Sequence, residues 1–332
     1  MWTIRTFVTA VATLALVIAA ANNLAAQTVI KFGHDQPESS SHHKAALKWK
    51  ELVESRSNGQ IKVNIFPALL LGSATQMAEQ VQAGALEVAI LPTAWLAPLA
   101  PSLQVLDLPF LFPTRDSLYK MIDGPVADEL LKPLNKVNIQ GIAFWQSGFK
   151  QFTGHFRIRE PGDFKGHKFR TMPAAVIQEQ FRAFGSTPTV INFSELYSAL
   201  QQNVVDGQEN PIETISLMRF HEVQQYITIS DHSFLAYVFL TNKPFFDKLP
   251  EAQRKIIVDA AKEAGKFQRT LIEDAEKHHL DVFRKAGLEI TTLTPEQRAK
   301  FQEASRPVYD WFAKTYGGGP VEMIRKDVAN QK

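Results

Sequence analysis

Strand-like and helix-like segments alternate near the start of the chain, and this order limits the folds that are possible. Residues 28–32 and 86–91 are short apolar runs, and apolar side chains alternate with polar ones over residues 61–65, so all three are predicted as strands. Two helical patterns separate them: one can be capped by the run Ser39-Ser40-Ser41 and continues through Arg56, and the other covers residues 75–83. Because this β-α-β-α-β order needs helical crossovers, it predicts a mainly parallel sheet covered by helices.

A second unit of the same kind is predicted to begin near Gly148. Its predicted strands are residues 153–158, 168–170 and 187–191, and its first helix covers residues 174–184. A strand over residues 139–145 is predicted to end the first unit. The chain of 332 residues is long enough for two domains with a large core.

The segment between Pro250 and Pro295 contains no proline and carries apolar residues at helical spacing. A helix of about 35 residues would be about 50 Å long, which exceeds the width of a small domain. We therefore predict a long helix that spans two lobes. A last helix is predicted over residues 294–316, and the run Gly317-Gly318-Gly319 is predicted to end it and to leave the remainder as a tail.

The first 26 residues differ from the rest. Arg5 is the only charged residue before Lys31, and an apolar run over residues 7–21 is followed by small residues up to Ala26. This pattern is typical of a secretory signal peptide. A membrane anchor is the alternative, but a span needs roughly 20 apolar residues and this run is shorter. We predict cleavage near Ala26, which changes the formal net charge from +2 to +1, and an exported, soluble mature protein.

Composition and motifs exclude several classes of protein. The chain has no cysteine, which excludes disulfides, thiol catalysis and cysteine-ligated metals, and its even charge argues against nucleic-acid binding. The phosphate-binding motifs G-x-x-x-x-G-K-[ST] and G-x-G-x-x-G and the motifs G-x-S-x-G and H-E-x-x-H do not occur. The pairs His42-His43 and His278-His279 are not expected to form a metal site on one helix face, because helical neighbours point about 100° apart, and they are predicted to be solvated. No cofactor or metal is predicted; a serine triad stays open, since its members need not be close in sequence.

Three polar residues stand at the edges of the second unit, namely Lys150, Arg170 and Asn210. Arginine carries a planar fork of donors that can grip a carboxylate through two hydrogen bonds. An amide at Asn210 could donate to one carboxylate oxygen while the arginine takes the other. The alternative is that Arg170 forms an ordinary structural or surface salt bridge, and the residue types alone favour that alternative.

Eight short segments carry a family resemblance along almost the whole chain after residue 26. In order they are Lys31-Phe32-Gly33-His34, Ile65-Phe66-Pro67 with Leu71-Gly72, Leu106 to Phe110, Gly148 to Thr153, Pro161 to Arg170, Phe193 to Gln201, Val204 to Pro211, and Glu222 to Tyr226 with His232. Each segment alone is weak evidence for a family, but eight segments in this order and at this spacing are strong evidence. Together they resemble the periplasmic solute-binding subunit of tripartite ATP-independent (TRAP) transporters, of the DctP type.

The resemblance implies a two-lobed α/β fold like that of periplasmic binding proteins, with hinge strands and a long helix between the lobes. The lobes it implies are residues 27–147 with 236–275 and residues 148–235 with 276–332. It also implies a periplasmic, non-enzymatic function. The lobes would close over one small organic acid, such as a 2-oxo, hydroxy, dicarboxylic or aromatic acid, and present it to the membrane permease.

The resemblance also assigns roles to individual residues. It implies that Arg170 pairs with the ligand carboxylate, that Asn210 lies beside it, and that Phe193 lines the cleft. A loop of the first lobe that contains His34 and Asp35 would face the ligand from the other side.

Departures from the family pattern modify these expectations. Lys150 stands where sugar-acid-binding members carry a second arginine, and a lysine keeps the charge but loses the fork. Pro92 and Trp95 stand where those members place polar groups, and Ala74 replaces an acidic residue. Gln76 is a further candidate contact from the first lobe. These departures predict one strong carboxylate anchor and a more apolar far wall, although Trp95 could instead pack only in the core.

Two rival functions remain from the sequence. One is a secreted hydrolase or lyase that uses Glu195, Glu209 or Glu213 as a base. The other is a sensor subunit that binds the same solute but docks on a receptor kinase.

Overall fold

The computed structural model describes residues 27–331, which form one mixed β-sheet with helices packed on it. The strands are β1 (Thr28–His34), β2 (Ile61–Phe66), β3 (Val88–Pro92), β4 (Ile139–Gly154), β5 (Lys168–Thr171), β6 (Thr187–Val190), β7 (Gly207–Pro211), β8 (Tyr226–Asn242) and β9 (Glu289–Thr292). The predicted signal peptide, residues 1–26, lies outside the described residues.

The α-helices and the short 3-10 helices connect these strands. The α-helices are α1 (Ser41–Arg56), α2 (Ala74–Ala83), α3 (Arg115–Asp123), α4 (Pro125–Leu131), α5 (Ala175–Ala183), α6 (Leu196–Gln201), α7 (Ile212–Leu217), α8 (Lys243–Lys248), α9 (Glu251–Lys285), α10 (Pro295–Ala304), α11 (Arg306–Tyr316) and α12 (Gly319–Asn330). The 3-10 helices are Thr93–Trp95, Pro101–Asp107, Lys132–Val137, Pro161–Phe164, Phe193–Glu195 and Phe220–Glu222.

The sheet combines two parallel ends with an antiparallel centre. Its strand order is β2-β1-β3-β8-β4-β7-β5-β6, and β9 pairs in parallel with β8. Strand β1 is parallel to β2 and β3, and β5 is parallel to β6 and β7, whereas β8 and β4 run antiparallel to their neighbours β3 and β7 and to each other. The predicted α/β class is confirmed, and the parallel arrangement predicted for the first three strands is correct.

Strands β4 and β8 are long enough to take part in both halves of the sheet. The first half of β4 pairs with the second half of β8, while residues 150–154 of β4 pair with β7 and with the start of β8. The register shifts between Gln146 and Gly148, where Gly148 has a φ of +109°. A β-bulge at a residue in this conformation bends a strand and favours glycine. These two strands are therefore the natural place for a hinge.

The long helix α9 lies along the sheet and contacts α1, α7 and β4. Its 35 residues match the length predicted from the proline-free segment and correspond to about 52 Å. The Trp145 side chain of β4 donates its indole N–H to the Ala261 carbonyl at 2.9 Å. A Cβ added at Gly265 would lie 2.9 Å from the Trp145 ring, so glycine permits this close approach.

The C-terminal part differs from its prediction. The single helix predicted over residues 294–316 is two helices, because the chain turns at Ser305 and Pro307 lies at the start of α11. The predicted tail is wrong. Residues 319–330 form α12, which buries Val321 and Ile324 and contacts α3 and α4. This last segment, assigned by the prediction to the second lobe, thus contacts helices of the first.

Apolar side chains form one large cluster that includes residues of β1, β3, β4, β8 and α9. A smaller cluster lies where α6, α7 and the end of α9 meet, and it includes Phe193, Leu200, Ile215, Phe220 and Phe283. These clusters hold the strand ends that carry the polar residues considered next.

Candidate functional site

Arg170 on β5 and Asn210 on β7 lie on the same face of the sheet. Phe169 pairs directly with Gly207 in the parallel ladder, so the alternation of side chains places Arg170 with Gln208 and Asn210. Arg170 is 2% exposed and Asn210 is 3% exposed. The structure therefore brings together the two residues that were predicted to bind a carboxylate, in a place closed to bulk water.

The Arg170 guanidinium is only partly satisfied by the protein. Its Nε donates to the Ile191 carbonyl at 3.0 Å, whereas its Nη2 is buried and has no hydrogen-bond partner among the described residues. Burial lowers the pKa of Arg170 to about 10, against the fields of Glu209 and Tyr237. The side chain stays charged at neutral pH, and a buried donor without an acceptor is unfavourable. An anion from outside the chain would satisfy it.

The Asn210 amide is held in place by a chain of side-chain hydrogen bonds. Its Nδ2 donates to Gln208 Oε1 at 2.5 Å, and Gln208 Nε2 donates to Thr153 Oγ1 at 2.8 Å. Thr153 Oγ1 in turn donates to Gln224 Oε1 at 3.1 Å. This network connects β7 with β4 and fixes the orientation of the amide.

Lys150 lies on the other face of the sheet. It pairs with Pro211 in the antiparallel ladder, so its side chain shares a face with Glu209 and not with Asn210. Its Nζ is 2.6 Å from Glu209 Oε1 and 3.4 Å from Asp107 Oδ1, and the side chain is fully buried. The charge of Lys150 is thus already compensated within the chain, and its contact with a ligand stays a prediction.

Glu209 is the centre of this buried group of charges. Its Oε2 hydrogen-bonds with His232 Nε2 at 2.7 Å. Burial opposes its charge, but Lys150 and His232 hold the pKa of Glu209 down to about 2. Burial raises the pKa of Asp107 to about 6, in spite of the nearby Lys150. A carboxylate held so strongly in its charged form is a poor proton acceptor, which argues against Glu209 as a catalytic base.

Tyr237 on β8 links two residues of the loop after β1. Gln36 Nε2 donates to the Tyr237 oxygen at 2.8 Å, and the Tyr237 hydroxyl donates to Asp35 Oδ2 at 3.2 Å. The other oxygen, Asp35 Oδ1, is buried without a hydrogen-bond partner, and burial raises the pKa of Asp35 to about 7. Tyr237 was not among the residues predicted from the sequence; the available signal is a lone hydroxyl within the apolar run of residues 234–240.

His34 and His42, near Asp35, are buried and neutral. His34 Nε2 lies 3.1 Å from His43 Nδ1, and the His42 ring packs on Tyr237 with a centroid distance of 4.4 Å. Burial lowers the pKa values of His34 and His42 to about 3. The prediction that the histidine pairs are solvated is wrong for His42 and for His279, which are buried. Within residues 27–331, no group of three metal-ligating side chains is arranged to hold an ion.

The remaining predicted contacts lie in apolar or capping positions. Phe193 packs edge-on against Phe220 at 6.1 Å, and Trp95 is 6% exposed within the large apolar cluster. Gln76 is exposed, and its Oε1 accepts from the Ser73 backbone N–H at 2.8 Å in a capping box at the start of α2. Ligand contact by these three residues stays a prediction.

Glu213 joins segments from the two predicted lobes. Its Oε1 accepts from the Ser41 backbone N–H at 2.9 Å, and its Oε2 accepts from Ser41 Oγ at 2.6 Å. Ser41 is the first residue of α1, where the helix dipole favours a negative charge. Both oxygens of Glu213 are thus engaged, while Glu195, another candidate base, is exposed.

Comparisons with known proteins agree with this architecture. Residues 32–315 match the model of the DctP family, described as bacterial extracellular solute-binding protein, family 7. The chain is 33% identical to the C4-dicarboxylate-binding periplasmic protein DctP of Rhodobacter capsulatus over 308 residues, which cover 92% of each chain.

Two crystal structures of TRAP periplasmic solute-binding proteins are similar to this one. The protein from Desulfovibrio salexigens, with bound orotic acid, has a TM-score of 0.88 and 34% identity, covering 91% of this chain and 99% of the other. The protein from Sulfurospirillum deleyianum, with bound succinate, has a TM-score of 0.84 and 33% identity, covering 90% and 99%.

The part of the chain that the structure describes contains no helix with the length and apolar character of a membrane span. The family match, the relatives and the shared fold confirm the resemblance inferred from the eight sequence segments. This chain belongs to the DctP family of bacterial extracellular solute-binding proteins and is a solute-binding protein of the TRAP transporter type.

Proposed function

We propose that this protein captures a small organic acid by its carboxylate, with Arg170 as the main anchor, and delivers it to a TRAP membrane permease. The single observation that carries the proposal is the buried guanidinium whose Nη2 has no partner among the described residues. The relatives support it: one is named for binding C4-dicarboxylates, and two crystal structures hold succinate and orotic acid, which are organic acids. The predicted signal peptide would place the protein in the periplasm.

The energetics of a buried carboxylate explain the role of the arginine. Removing a carboxylate from water costs several kcal/mol unless it is paired and hydrogen-bonded. The Arg170 guanidinium would supply the charge and one or two N–H donors, and the fixed amide of Asn210 would lie beside it. Phe193 and Trp95 are proposed to line the rest of the cleft.

Ligand capture is proposed to be coupled to closure of the two lobes. Arg170 and Asn210 belong to the second predicted lobe, whereas Asp35 and Gln36 belong to the first. A ligand that contacts both sets binds the closed state more tightly than the open one, so it shifts the equilibrium towards closure. Strands β4 and β8, with the bulge at Gly148, would provide the hinge.

We further propose that the protein has no catalytic turnover and that it serves transport. The low pKa of Glu209, the engaged oxygens of Glu213 and the exposed position of Glu195 weaken each of the three bases named in the hydrolase or lyase hypothesis. The measurement is an assay of the bound acid after prolonged incubation with the protein, and the expected result is that no product forms. A permease gene next to this one would favour transport over the sensor function.

The proposal is tested first by a thermal-shift screen against organic acids. A ligand at 100 times its dissociation constant stabilises the protein by about 2.7 kcal/mol, which gives a clear shift. The acid with the largest shift is then titrated by calorimetry into the wild type and Arg170→Ala. We expect at least tenfold weaker binding by the variant, since truncating one partner of a buried charge pair typically costs about 2–5 kcal/mol.

Two further variants sharpen this test. Arg170→Lys keeps the charge but loses the planar fork, so its affinity is expected to lie between wild type and Arg170→Ala. Arg182→Ala removes an exposed arginine of α5 and serves as the matched control, with unchanged affinity. If a folded Arg170→Ala protein binds the ligand with wild-type affinity, Arg170 does not anchor the ligand and the proposal fails.

A further inference from the structure

The buried charged side chains of this protein are more acidic than basic. Among residues 27–331, the buried lysine and arginine side chains are Lys150 and Arg170 alone. The buried acidic side chains are Asp35, Asp107, Glu209 and Glu213. An anionic ligand that enters this interior therefore depends on very few cationic groups.

One of the two cations is not available to a ligand. Lys150 lies 2.6 Å from Glu209 and 3.4 Å from Asp107, on the face of β4 opposite to Asn210. Withdrawing its ammonium group would leave both carboxylates buried without their partner, which is strongly unfavourable. Arg170 is thus the one buried cation in the described residues that can pair with an anion from outside.

The free capacity of Arg170 suits one carboxylate. Its Nε is used by the Ile191 carbonyl, while Nη2 is buried without an acceptor. A carboxylate brings a full negative charge, and its oxygens can accept hydrogen bonds from the Nη2 side of the guanidinium. After this pairing, the described part of the chain has no second buried arginine or lysine free for another carboxylate.

The first-lobe side of the site offers neutral or acidic groups. Tyr237 is hydrogen-bonded to Gln36 at 2.8 Å and to Asp35 at 3.2 Å, and the field of Tyr237 reaches both Arg170 and Asp35. Asp35 Oδ1 is buried without a hydrogen-bond partner. Glu213 of the second predicted lobe reaches across to Ser41, and its field also reaches Tyr237, so it brings a further carboxyl group to this side. A ligand hydroxyl, amide or carbonyl can be accommodated here, whereas above a pH of about 7, where Asp35 is ionised, a second carboxylate would meet a group of its own sign.

We propose that the site takes organic acids with a single carboxylate and an uncharged, hydrogen-bonding far end, and that it discriminates against dicarboxylates. This inference rests on the proposed function and narrows its ligand class. The cited relatives differ on this point: the Rhodobacter capsulatus protein is named for C4-dicarboxylates and the Sulfurospirillum deleyianum protein holds succinate, a dicarboxylate, whereas the Desulfovibrio salexigens protein holds orotic acid, a monocarboxylate.

The experiment compares ligands that differ in one charge. A thermal-shift panel that contains monocarboxylic and dicarboxylic acids identifies the tightest ligand. Calorimetry at pH 8 then compares the affinity of this ligand with that of a counterpart that differs only at the far end, where one of the two carries a carboxylate and the other an amide. Succinate and succinamate are the first such pair. We expect the tightest ligand to have one carboxylate and its dicarboxylate counterpart to bind at least tenfold more weakly, which is about 1.4 kcal/mol.

The possible results separate the inference from the function on which it rests. A dicarboxylate that is the tightest ligand, or that binds as well as its monoamide, overturns the inference and leaves the proposed function intact. If no acid of either kind binds the wild type, the proposed function itself fails.

A variant tests the origin of the discrimination. Asp35→Asn removes a buried acidic group from the first-lobe side and should reduce the ratio of monocarboxylate to dicarboxylate affinity at least threefold. The matched control is Asp116→Asn, which changes an exposed carboxylate of α3 whose side chain is 74% exposed and should leave the ratio unchanged. An unchanged ratio in Asp35→Asn would overturn the assignment of Asp35 to the far side of the ligand.

Discussion

At the scale of single residues, Lys150 is a buried cation whose charge is compensated by two carboxylates of the chain, Glu209 and Asp107. We expect Lys150→Met to reduce the free energy of unfolding by about 3–5 kcal/mol, because it leaves Glu209 and Asp107 buried without their cation. Chemical denaturation measures this loss. Ligand affinity of the folded fraction should fall less than in Arg170→Ala, since Lys150 lies on the other face of the sheet.

The double variant Lys150→Met with Glu209→Gln separates loss of charge pairing from loss of packing. Because it removes the unpaired carboxylate of Glu209, the double variant should have a free energy of unfolding higher by on the order of 1–3 kcal/mol than Lys150→Met alone. Lys277→Met is the control, because Lys277 is exposed on α9. No recovery in the double variant would show that the ion pair does not determine stability at this position.

The sequence predicted which residues carry charge at the site but not how these charges are paired. Arg170 and Asn210 were located by their motifs, and strand alternation places both on one face. The partners of Lys150 could not be predicted, because Asp107 and Glu209 are distant in the sequence and a shift of one residue in register would reverse the face. The burial of His42 likewise depends on Tyr237, which comes from a distant strand.

At the scale of secondary-structure elements, the contact between α9 and β4 depends on Gly265. Gly265→Val should lower the free energy of unfolding by about 1–3 kcal/mol, because a side chain there would overlap the buried Trp145 ring. Helix propensity alone would favour valine over glycine slightly, so a measured loss reports on packing. The control is Lys277→Val, on the exposed face of α9. Urea titration of both variants should show that its free energy of unfolding stays within about 0.5 kcal/mol of the wild-type value. Equal stabilities of the two variants would contradict the close contact.

The elements that were predicted well are those whose pattern is local. The early β-α-β-α-β order and the long helix follow from periodicity and from the absence of proline. Strand β4 was predicted only in part, because Gly148 and the polar residues around it interrupt the apolar alternation. The strand predicted over residues 139–145 is its first part, whereas the strand predicted over residues 153–158 overlaps it only at residues 153–154. Helix α12 was missed, because the three glycines before it resemble a stop signal, whereas its stability comes from packing Val321 and Ile324 on distant helices.

At the scale of the whole molecule, one contact beside the site bridges the two predicted lobes directly. Glu213, three residues after Asn210, binds the backbone and side chain of Ser41 at the start of α1. Both residues are buried, so the contact excludes water when it forms. It needs no ligand atom, and it therefore favours the closed arrangement in addition to any ligand that the lobes enclose.

Glu213→Gln should weaken this bridge, because a neutral amide lacks the charge that favours its hydrogen bonds and suits the helix N-terminus. A charge at a helix N-terminus contributes up to about 2 kcal/mol, so we expect ligand affinity to fall several-fold in calorimetry. Small-angle X-ray scattering of the ligand-free protein should show a larger radius of gyration in the variant. Glu195→Gln, at an exposed site of the same lobe, should change neither quantity. If Glu213→Gln binds like the wild type and keeps its radius of gyration, closure does not depend on this carboxylate, and the ligand contacts alone must hold the lobes together.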